Sequence, residues 1–286
     1  MKTNYIVTHD AILKEYLLEI GLSRHFCKKV KLYGKMYVND IEVKNYVSVK
    51  TKDIITLELD EELNQNVVLM DSIKLDIKYE DEYLLIINKP SDLATLPTKK
   101  HFTDNVISLV KNYYLNKNIN SNIHIVNRLD YSTSGLMVIA KDGLTHFKLS
   151  PIDKKVITRK YVALVDGIIP EKKGEIGLPI ARIEGSIKRE VNSDGKYAKT
   201  LYKVIKEVNG KTLVDVELVT GRTHQIRVHF SHLGFPLVGD KLYNDNYNNE
   251  DRLCLHCYYV SFVHPYTNNI IEIIDENKDN YFSSYY

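Results

Sequence analysis

The stretch NRLDYSTSGLMVIAKD, residues 127–142, joins a polar loop to an apolar segment of the length of one β-strand. Within it, Asp130 stands just before Thr133, Ser134 and Gly135, and the run LMVIA that follows predicts a buried strand. A carboxylate at the start of such a strand either takes part in chemistry or organises the turn through hydrogen bonds to nearby backbone. Local composition leaves both interpretations open.

A second unusual stretch is TGRTHQIRVHFSHLGFPLVGD, residues 220–240. Here Gly221 ends a strand, and Thr223 is placed to cap a helix that carries His224 and Arg227. Arg227 could reach a partner beyond the sheet edge. An arginine on a half-buried helix is also commonly a surface ion pair or a snorkelling side chain, so this stretch alone identifies no function.

Composition indicates a folded protein with one large core and a small added module. The chain has 286 residues, 44% hydrophobic and 27% charged, with a formal net charge of +2. That charge neither demands nor excludes a nucleic-acid partner. Three cysteines give no disulfide framework, and no signal peptide or membrane-spanning run is seen, so we expect a cytoplasmic protein.

The first sixty residues predict a small module. Residues 10–20 have a helical stripe with Asp10 as N-cap, and Ser23 can cap a second helix. A strongly basic face follows, made of Arg24, Lys28, Lys29, Lys31 and Lys35. Two short strands are joined by the turn pair Asn39-Asp40, and a third, DIITLEL, closes the unit near residue 60.

The rest of the chain is dominated by strand patterns. They occur at IKLDIKY, YLLIINK, LMVIA, KYVALVDG, LYKVIKEV and TLVDVELV, whereas clear helical patterns cover only residues 104–115 and about 223–233. We therefore predict an α+β fold with a mixed, largely antiparallel sheet. The expected division is a module at 1–60, a linker at 61–71 and a catalytic domain at 72–286.

Four separated segments carry a family resemblance. They are YEDEYLLIINKPSDLATLP, RLDYSTSGLMVIAK, RKYVALVDG and TGRTHQIRVHFSHLGFPLVGD, followed by LHCYYVSFVHP as a closing strand region. Over roughly residues 72–275 they resemble the RluA-type family of RNA pseudouridine synthases, in that family's order.

The resemblance implies roles for individual residues. Asp130 corresponds to the catalytic aspartate, Tyr161 to the ring that packs on the target base, Arg227 to the basic partner of Asp130, and Arg128 to the residue that fills the place of the extruded uridine. The substrate contacts that it implies are Arg128, Leu129, Thr133, Ser134, Gly135, Arg222, His224 and Gln225. The isomerisation exchanges no electrons with its surroundings, so no cofactor is expected.

Two positions depart from the family pattern. Asn127 stands where the family usually has histidine before the arginine, which puts any contact made by an imidazole in doubt, although asparagine still offers a donor and an acceptor. Asp92 stands where glycine is typical after KPS, and we expect it to alter a loop beside the site.

The N-terminal module resembles the small RNA-binding S-four domain of ribosomal proteins. Its lysines suit contacts with phosphate, although a run of lysines is also simply a solvated face. The resemblance implies an RNA partner, with large-subunit ribosomal RNA first and transfer RNA second. We expect a monomer that binds no membrane and no metal.

Three rival interpretations remain. The residues His224, His229, His232, His256, Cys254 and Cys257 suggest metal ligands, but their spacing fits no zinc pattern. A glycosidase shares attack by aspartate at an anomeric carbon, yet it normally needs two carboxylates, and the motifs supply one. A non-catalytic RNA-binding protein that has kept the fold would be signalled by loss of Asp130 or Arg227, and both are present.

Overall fold

The computed structural model describes residues 2–22, 24–59, 69–71, 73–150, 156–247, 252–276 and 281–285. Ser23, the expected cap of the second helix, and residues 61–68 of the expected linker lie outside the described residues. The division of the chain at residues 60 and 72 therefore stays a prediction.

The first part of the chain forms a small sheet covered by two helices. Its elements are β1 (Lys2–Ile6), β2 (Ala11–Ile12), α1 (Leu13–Glu19), α2 (Arg24–Tyr33), β3 (Gly34–Val38), β4 (Ile41–Val43), β5 (Ser48–Val49) and β6 (Ile54–Leu59). Strands β1, β6, β3 and β4 pair antiparallel in that order, and β2 pairs with β5. Helices and sheet share a core that includes Leu13, Leu17, Val30 and Ile55.

Two local predictions for this part had opposite outcomes. The turn at Asn39-Asp40 is confirmed, with φ values of 51° and 65° that suit a two-residue hairpin. The prediction that Asp10 caps α1 was wrong, because α1 starts after Ile12 without a side-chain cap. Asp10 instead accepts hydrogen bonds from the N–H and the hydroxyl of Thr51, at 2.8 and 3.1 Å, a long-range contact that local sequence does not show.

The larger part of the chain is built mainly from strands. They are β7 (Ile77–Glu80), β8 (Leu84–Lys89), β9 (His124–Ile125), β10 (Ser134–Ala140), β11 (Thr158–Asp166), β12 (Lys173–Ile176), β13 (Ile180–Arg182), β14 (Arg189–Val191), β15 (Thr200–Val208), β16 (Lys211–Leu218), β17 (Leu255–Val263) and β18 (Ile270–Ile274). The helices are α3 (Val106–Asn116), α4 (Gly143–Leu149) and α5 (Gln225–His232), and a 3-10 turn covers Ser283–Tyr285.

Ten of these strands form one sheet, in the order β12, β15, β16, β11, β17, β10, β8, β7, with β18 beside β17 and β9 beside β10. Among the described strands of this sheet, β10 and β17 are the parallel pair and the other pairs are antiparallel. The structure thus confirms the α+β class with a mixed, largely antiparallel sheet.

The middle of this sheet is buried on both faces. Successive residues of β11 belong to different cores, since Ala163 lies in the main core and Val162 in a second core that contains Phe282. All seven residues of β10 are buried. Gly135, with φ at +119°, lets β10 approach β17 so closely that a Cβ atom would stand 2.3 Å from the carbonyl oxygen of Cys257.

Several predicted boundaries were inexact. The segment 73–79 is strand only from Ile77 onward, and α4, capped by the carboxylate of Asp142, was not predicted. Thr223 does not cap α5, because His224 takes the N-cap position with φ at 56° and no side-chain cap bond. None of the helices in the described part of the chain has the length and apolar character needed to cross a bilayer.

Candidate active site

Asp130 lies in a loop whose backbone is held by hydrogen bonds from neighbouring side chains. Three side chains, one from the last residue of β8 and two from the segment after it, donate to backbone carbonyls of this loop. They are Lys89 to Tyr131 at 3.1 Å, Ser91 to Ser132 at 2.8 Å, and Thr95 to Leu129 at 2.7 Å. Sequence reasoning missed these contacts; the available signal was a cluster of polar residues directly after a buried strand. The loop is therefore ordered before any substrate arrives.

Lys89 is the most unusual member of this set, because only 1% of it is exposed. Its Nζ also donates to the carbonyls of Pro90 and Leu93, at 2.8 and 2.9 Å. Burial lowers the pKa of Lys89 to about 7, and the negative charges of Asp92 and Asp130 oppose that shift. The buried Lys89 amine, hydrogen-bonded to three backbone carbonyls, thus supports the loop that carries the carboxylate.

The carboxylate of Asp130 faces a buried guanidinium. Nη1 of Arg227 lies 3.7 Å from Oδ2 of Asp130, whose side chain is 30% exposed. Arg227 is itself held by Asp240, through Nε to Oδ2 at 2.8 Å and Nη2 to Oδ1 at 2.6 Å. Because Asp240 holds one edge of the guanidinium through two hydrogen bonds, Nη1 on the other side is aimed at Asp130. Sequence reasoning missed Asp240, although it closes the quoted segment 220–240.

His224 approaches the same carboxylate from another side. Its Nε2 lies 3.9 Å from Oδ2 of Asp130, and its Nδ1 lies 2.8 Å from the hydroxyl of Tyr243. That hydroxyl accepts the N–H of Arg189, so its own hydrogen is available to Nδ1, which leaves the hydrogen of a neutral ring on Nε2. Burial and the charge of Arg227 lower the pKa of His224, against the opposing charge of Asp130.

Tyr161 lies on β11, which is separated from β10 by β17. Only 3% of it is exposed. Burial, together with Cys257 opposite it on β17, raises the pKa of its hydroxyl well above the ordinary value. The side chain is therefore a neutral phenol at physiological pH.

These groups border one open cavity of about 820 Å³, a size typical of ligand sites. Its lining contains Asp130, Tyr161 and His224 together with five arginines, Arg128, Arg159, Arg189, Arg222 and Arg227. Among the described residues that line it, Asp130 alone is acidic. The cavity thus suits a polyanionic ligand and isolates one carboxylate within it.

Most of the predicted substrate contacts border this cavity, but two do not. Arg128, Leu129, Thr133, Arg222, His224 and Gln225 are in its lining, and Ser134 and Gly135 are not. β10 directs these two into the sheet, where the hydroxyl of Ser134 lies 2.9 Å from Nδ1 of His256, and their contact with substrate stays a prediction. Gly135 is instead required for the close approach to β17.

Gln225 borders the cavity, yet its amide is engaged within the protein. Its Oε1 accepts from Thr220 and from the N–H of Arg222, and its Nε2 donates to the carbonyl of Lys199 and to Thr200. With 2% exposure, Gln225 joins the loop before α5 to the start of β15. The geometry gives it a structural part in the site.

The two departures from the family pattern have local explanations. Asn127 is buried, and its side chain accepts from the N–H of Val138 at 2.7 Å and donates to the carbonyl of Leu136 at 3.3 Å, so it ties the loop to β10. Asp92 has φ at 58°, a left-handed conformation that explains why glycine would suit this position. Both residues shape the surroundings of the loop.

The residues that suggested a metal site are dispersed. Cys254 and Cys257 are free, buried thiols, the first just before β17 and the second within it, and His229 bonds Thr200 and the carbonyl of Leu178. Over the described ranges, no three histidine, cysteine or acidic residues are grouped as metal ligands.

The basic residues predicted for the N-terminal module lie along α2 and at the start of β3. Arg24, Lys28, Lys31 and Lys35 are exposed and Lys29 is half-buried. Lys35 lies 3.9 Å from Glu42, and both side chains of that pair are exposed. We call Arg24, Lys28, Lys29, Lys31 and Lys35 the basic face.

Fold and cavity together define the class of protein. The structure resembles that of the human protein RNA pseudouridylate synthase domain containing 1, with a TM-score of 0.60 over 75% of this chain and 89% of that one, at 24% identity. The fold is thus that of the pseudouridine synthases.

Sequence comparison identifies the family. The family model RNA pseudouridylate synthase matches residues 83–232. An RNA pseudouridine synthase of Bacillus subtilis is 36% identical over 89% of this chain and 91% of its own length. The ribosomal large subunit pseudouridine synthase D of Buchnera aphidicola subsp. Schizaphis graminum is 34% identical over 92% of this chain and 88% of its own length. The chain belongs to the RNA pseudouridine synthase family and is an isomerase of RNA.

Proposed function

We propose that this enzyme converts specific uridines of structured ribosomal RNA to pseudouridine, with Asp130 as the catalytic carboxylate. The observation that carries the proposal is the position of Asp130, as the single acidic residue in the described lining of an arginine-rich cavity, 3.7 Å from a fixed guanidinium. With 30% of its side chain exposed, Asp130 is accessible to a ligand in the cavity.

The reaction breaks the bond between N1 of uracil and the anomeric carbon, and forms one between C5 and the same carbon. C5 loses a proton and N1 gains one, so atoms and charge balance without a cofactor. Asp130 attacks the anomeric carbon or the uracil ring, or stabilises the positive charge that develops on the ribose. Arg227 and His224 flank the carboxylate, at 3.7 and 3.9 Å, and orient it in each of these routes.

We assign Tyr161 to the face of the uracil. Its ring is flat and apolar and belongs to the lining of the cavity, which suits packing against a base. Because its pKa is raised, Tyr161 is suited to pack as a neutral phenol and to donate a hydrogen bond. It is poorly suited to act as a phenolate base.

We assign Arg128 to the RNA stack. A uridine inside folded RNA must be extruded to reach Asp130, at a cost of a few kcal/mol. Arg128 is exposed at the cavity, two residues before the carboxylate, and a guanidinium stacks on bases while it binds phosphate. It is therefore suited to fill the vacated position.

The proposed substrate is large-subunit ribosomal RNA, because relatives such as the Buchnera enzyme carry that name. An enzyme of ribosomal RNA works where that RNA is, so we place it in the cytoplasm. Mapping of pseudouridine across total RNA, from cells with and without this gene and after complementation, tests the proposal. We expect the loss of one or a few pseudouridines in large-subunit ribosomal RNA, and losses confined to transfer RNA would reject that substrate.

The basic face gives a further prediction. Removing two of its charges in the double variant Lys28→Gln/Lys31→Gln should weaken RNA binding and reduce the slope of log affinity against log salt by roughly 1.5, since each neutralised phosphate contributes about 0.7 to 0.9. Affinity measured at several salt concentrations checks this expectation.

The matched control removes two exposed charges of the same module outside α2, in Lys44→Gln/Lys50→Gln, and should leave the slope near that of the wild type. Equal slopes for the wild type and the Lys28/Lys31 variant would count against RNA binding by the basic face. Charge substitution is preferable to truncation, because Phe147 of α4 packs against the N-terminal core and would be uncovered.

A further inference from the structure

Two aromatic side chains meet at the rim of the cavity, and the proposed reaction uses neither. The rings of Tyr131 and His101 have centroids 4.6 Å apart and planes inclined by 33°. Both residues line the cavity, and 41% of Tyr131 is exposed. The exposed ring of Tyr131 follows Asp130 directly in the chain and borders the same cavity, so a ligand at Asp130 can cover it.

The pair is held in place before any ligand binds. Nδ1 of His101 lies 2.7 Å from the carboxylate of Asp104, and its backbone exchanges hydrogen bonds with Thr98 at 3.2 and 3.3 Å. The carbonyl of Tyr131 accepts from Lys89. A ring that is already ordered loses little entropy when a ligand stacks on it.

The surroundings define the chemistry of that ligand. Exposed Arg128 and Arg222 border the same cavity, so a ligand that reaches Tyr131 carries negative charge nearby. It must also offer a flat, weakly polar face to the ring. A nucleobase on a phosphate backbone meets both requirements.

We propose that Tyr131 and His101 form a stacking subsite for the nucleobase next to the target uridine. This inference deepens the proposed function and rests on it. When a uridine leaves the stack, its neighbour loses a stacking partner. Arg128 takes the vacated place, and Tyr131, three residues further on, supplies a new surface to the neighbouring base. Stacking does not read the edges of a base, so the subsite accepts any base. It favours purines because their larger rings stack more strongly.

The test uses a hairpin RNA built around the uridine that the enzyme modifies. We expect Tyr131→Ala to raise KM and the dissociation constant by about 5- to 100-fold, the usual range for one lost stacked base, with kcat within about two-fold of the wild type. Tyr131→Phe should keep wild-type values, because the ring remains. Phe102→Ala is the matched control, since Phe102 is 61% exposed on the same loop as His101 but does not line the cavity.

The decisive comparison removes the base instead of the ring. In hairpins that carry an abasic residue on one side or the other of the uridine, one of the two RNAs should bind the wild type as weakly as the intact RNA binds Tyr131→Ala. That RNA should lose no further affinity in the variant. If Tyr131→Ala weakens the intact RNA and both abasic RNAs by the same factor, or weakens none of them, the subsite is rejected.

The affinity measurement needs no turnover, so it separates the two proposals. Full activity of the Asp130→Asn variant would overturn the proposed catalytic role and leave the stacking result standing. A loss of activity in Asp130→Asn together with additive effects of Tyr131→Ala and the abasic residues would overturn the subsite alone.

Discussion

Replacing Asp130 by asparagine is expected to abolish pseudouridine formation, with a fall in kcat on the order of a thousand-fold or more, while RNA affinity stays within a few fold. The substitution keeps the shape of the side chain and removes the charge that the reaction uses. Because Asp130 is 30% exposed and makes no structural hydrogen bond through its carboxylate among the described residues, the fold should tolerate the change. Single-turnover assays with saturating enzyme measure the chemical step.

Asp92→Asn provides the matched control for this variant. It removes a carboxylate from the adjoining loop at a residue that lies outside the cavity lining. Asparagine tolerates the left-handed backbone that Asp92 adopts, so the loop should be preserved. Wild-type turnover in Asp92→Asn and loss in Asp130→Asn would assign the effect to one carboxylate, whereas comparable turnover in both would remove Asp130 from the mechanism.

The second large effect is expected at Asp240, which touches no substrate. Asp240→Asn removes the negative charge from a buried pair and leaves Asp130, at 3.7 Å, as the nearest carboxylate to the guanidinium of Arg227. Breaking such a pair destabilises a fold by about 3 to 5 kcal/mol. Since the pair also aims Nη1 at Asp130, kcat should fall by about 100-fold, as expected when a catalytic group loses its position.

Denaturant unfolding and turnover below the unfolding transition measure the two effects separately. Glu42→Gln is the control, because it removes a charge from the exposed pair with Lys35, where the contribution to stability is about 1 kcal/mol or less. An Asp240→Asn variant with wild-type turnover would show that Arg227 needs no fixed orientation.

Sequence was sufficient for the residues that motifs carry. Asp130, Tyr161 and Arg227 stand in separate segments, yet the fold brings them to one cavity, as the family resemblance implied. Strand patterns also predicted the class of sheet. The contacts that hold these residues in place could be seen only in the tertiary structure. The pairing of Arg227 with Asp240 joins a helix to the loop after it, and sequence periodicity does not predict such a contact.

Local sequence was insufficient where the position of a side chain depends on tertiary structure. The family resemblance placed Ser134 at the substrate, whereas the direction of the strand points its hydroxyl at His256 in the interior, so that contact stays a prediction. Asp10 and Thr223 are residue types that commonly cap helices. The N-cap of α1 is instead Ile12, two residues after Asp10, and the N-cap of α5 is His224, one residue after Thr223. For Asp10 the competing partner is Thr51, 41 residues away, and local preference is a weak determinant against such a contact.

The central claim is that a uridine drawn out of its RNA meets the carboxylate of residue 130. A crystal structure of the Asp130→Asn enzyme with its hairpin RNA measures this most directly, through the distance from the side-chain amide of residue 130 to the anomeric carbon of the target nucleotide. We predict an extruded uridine with that distance within about 4 Å, close to a reactive approach. A target uridine still stacked in the RNA, or held in a different pocket, would contradict the account.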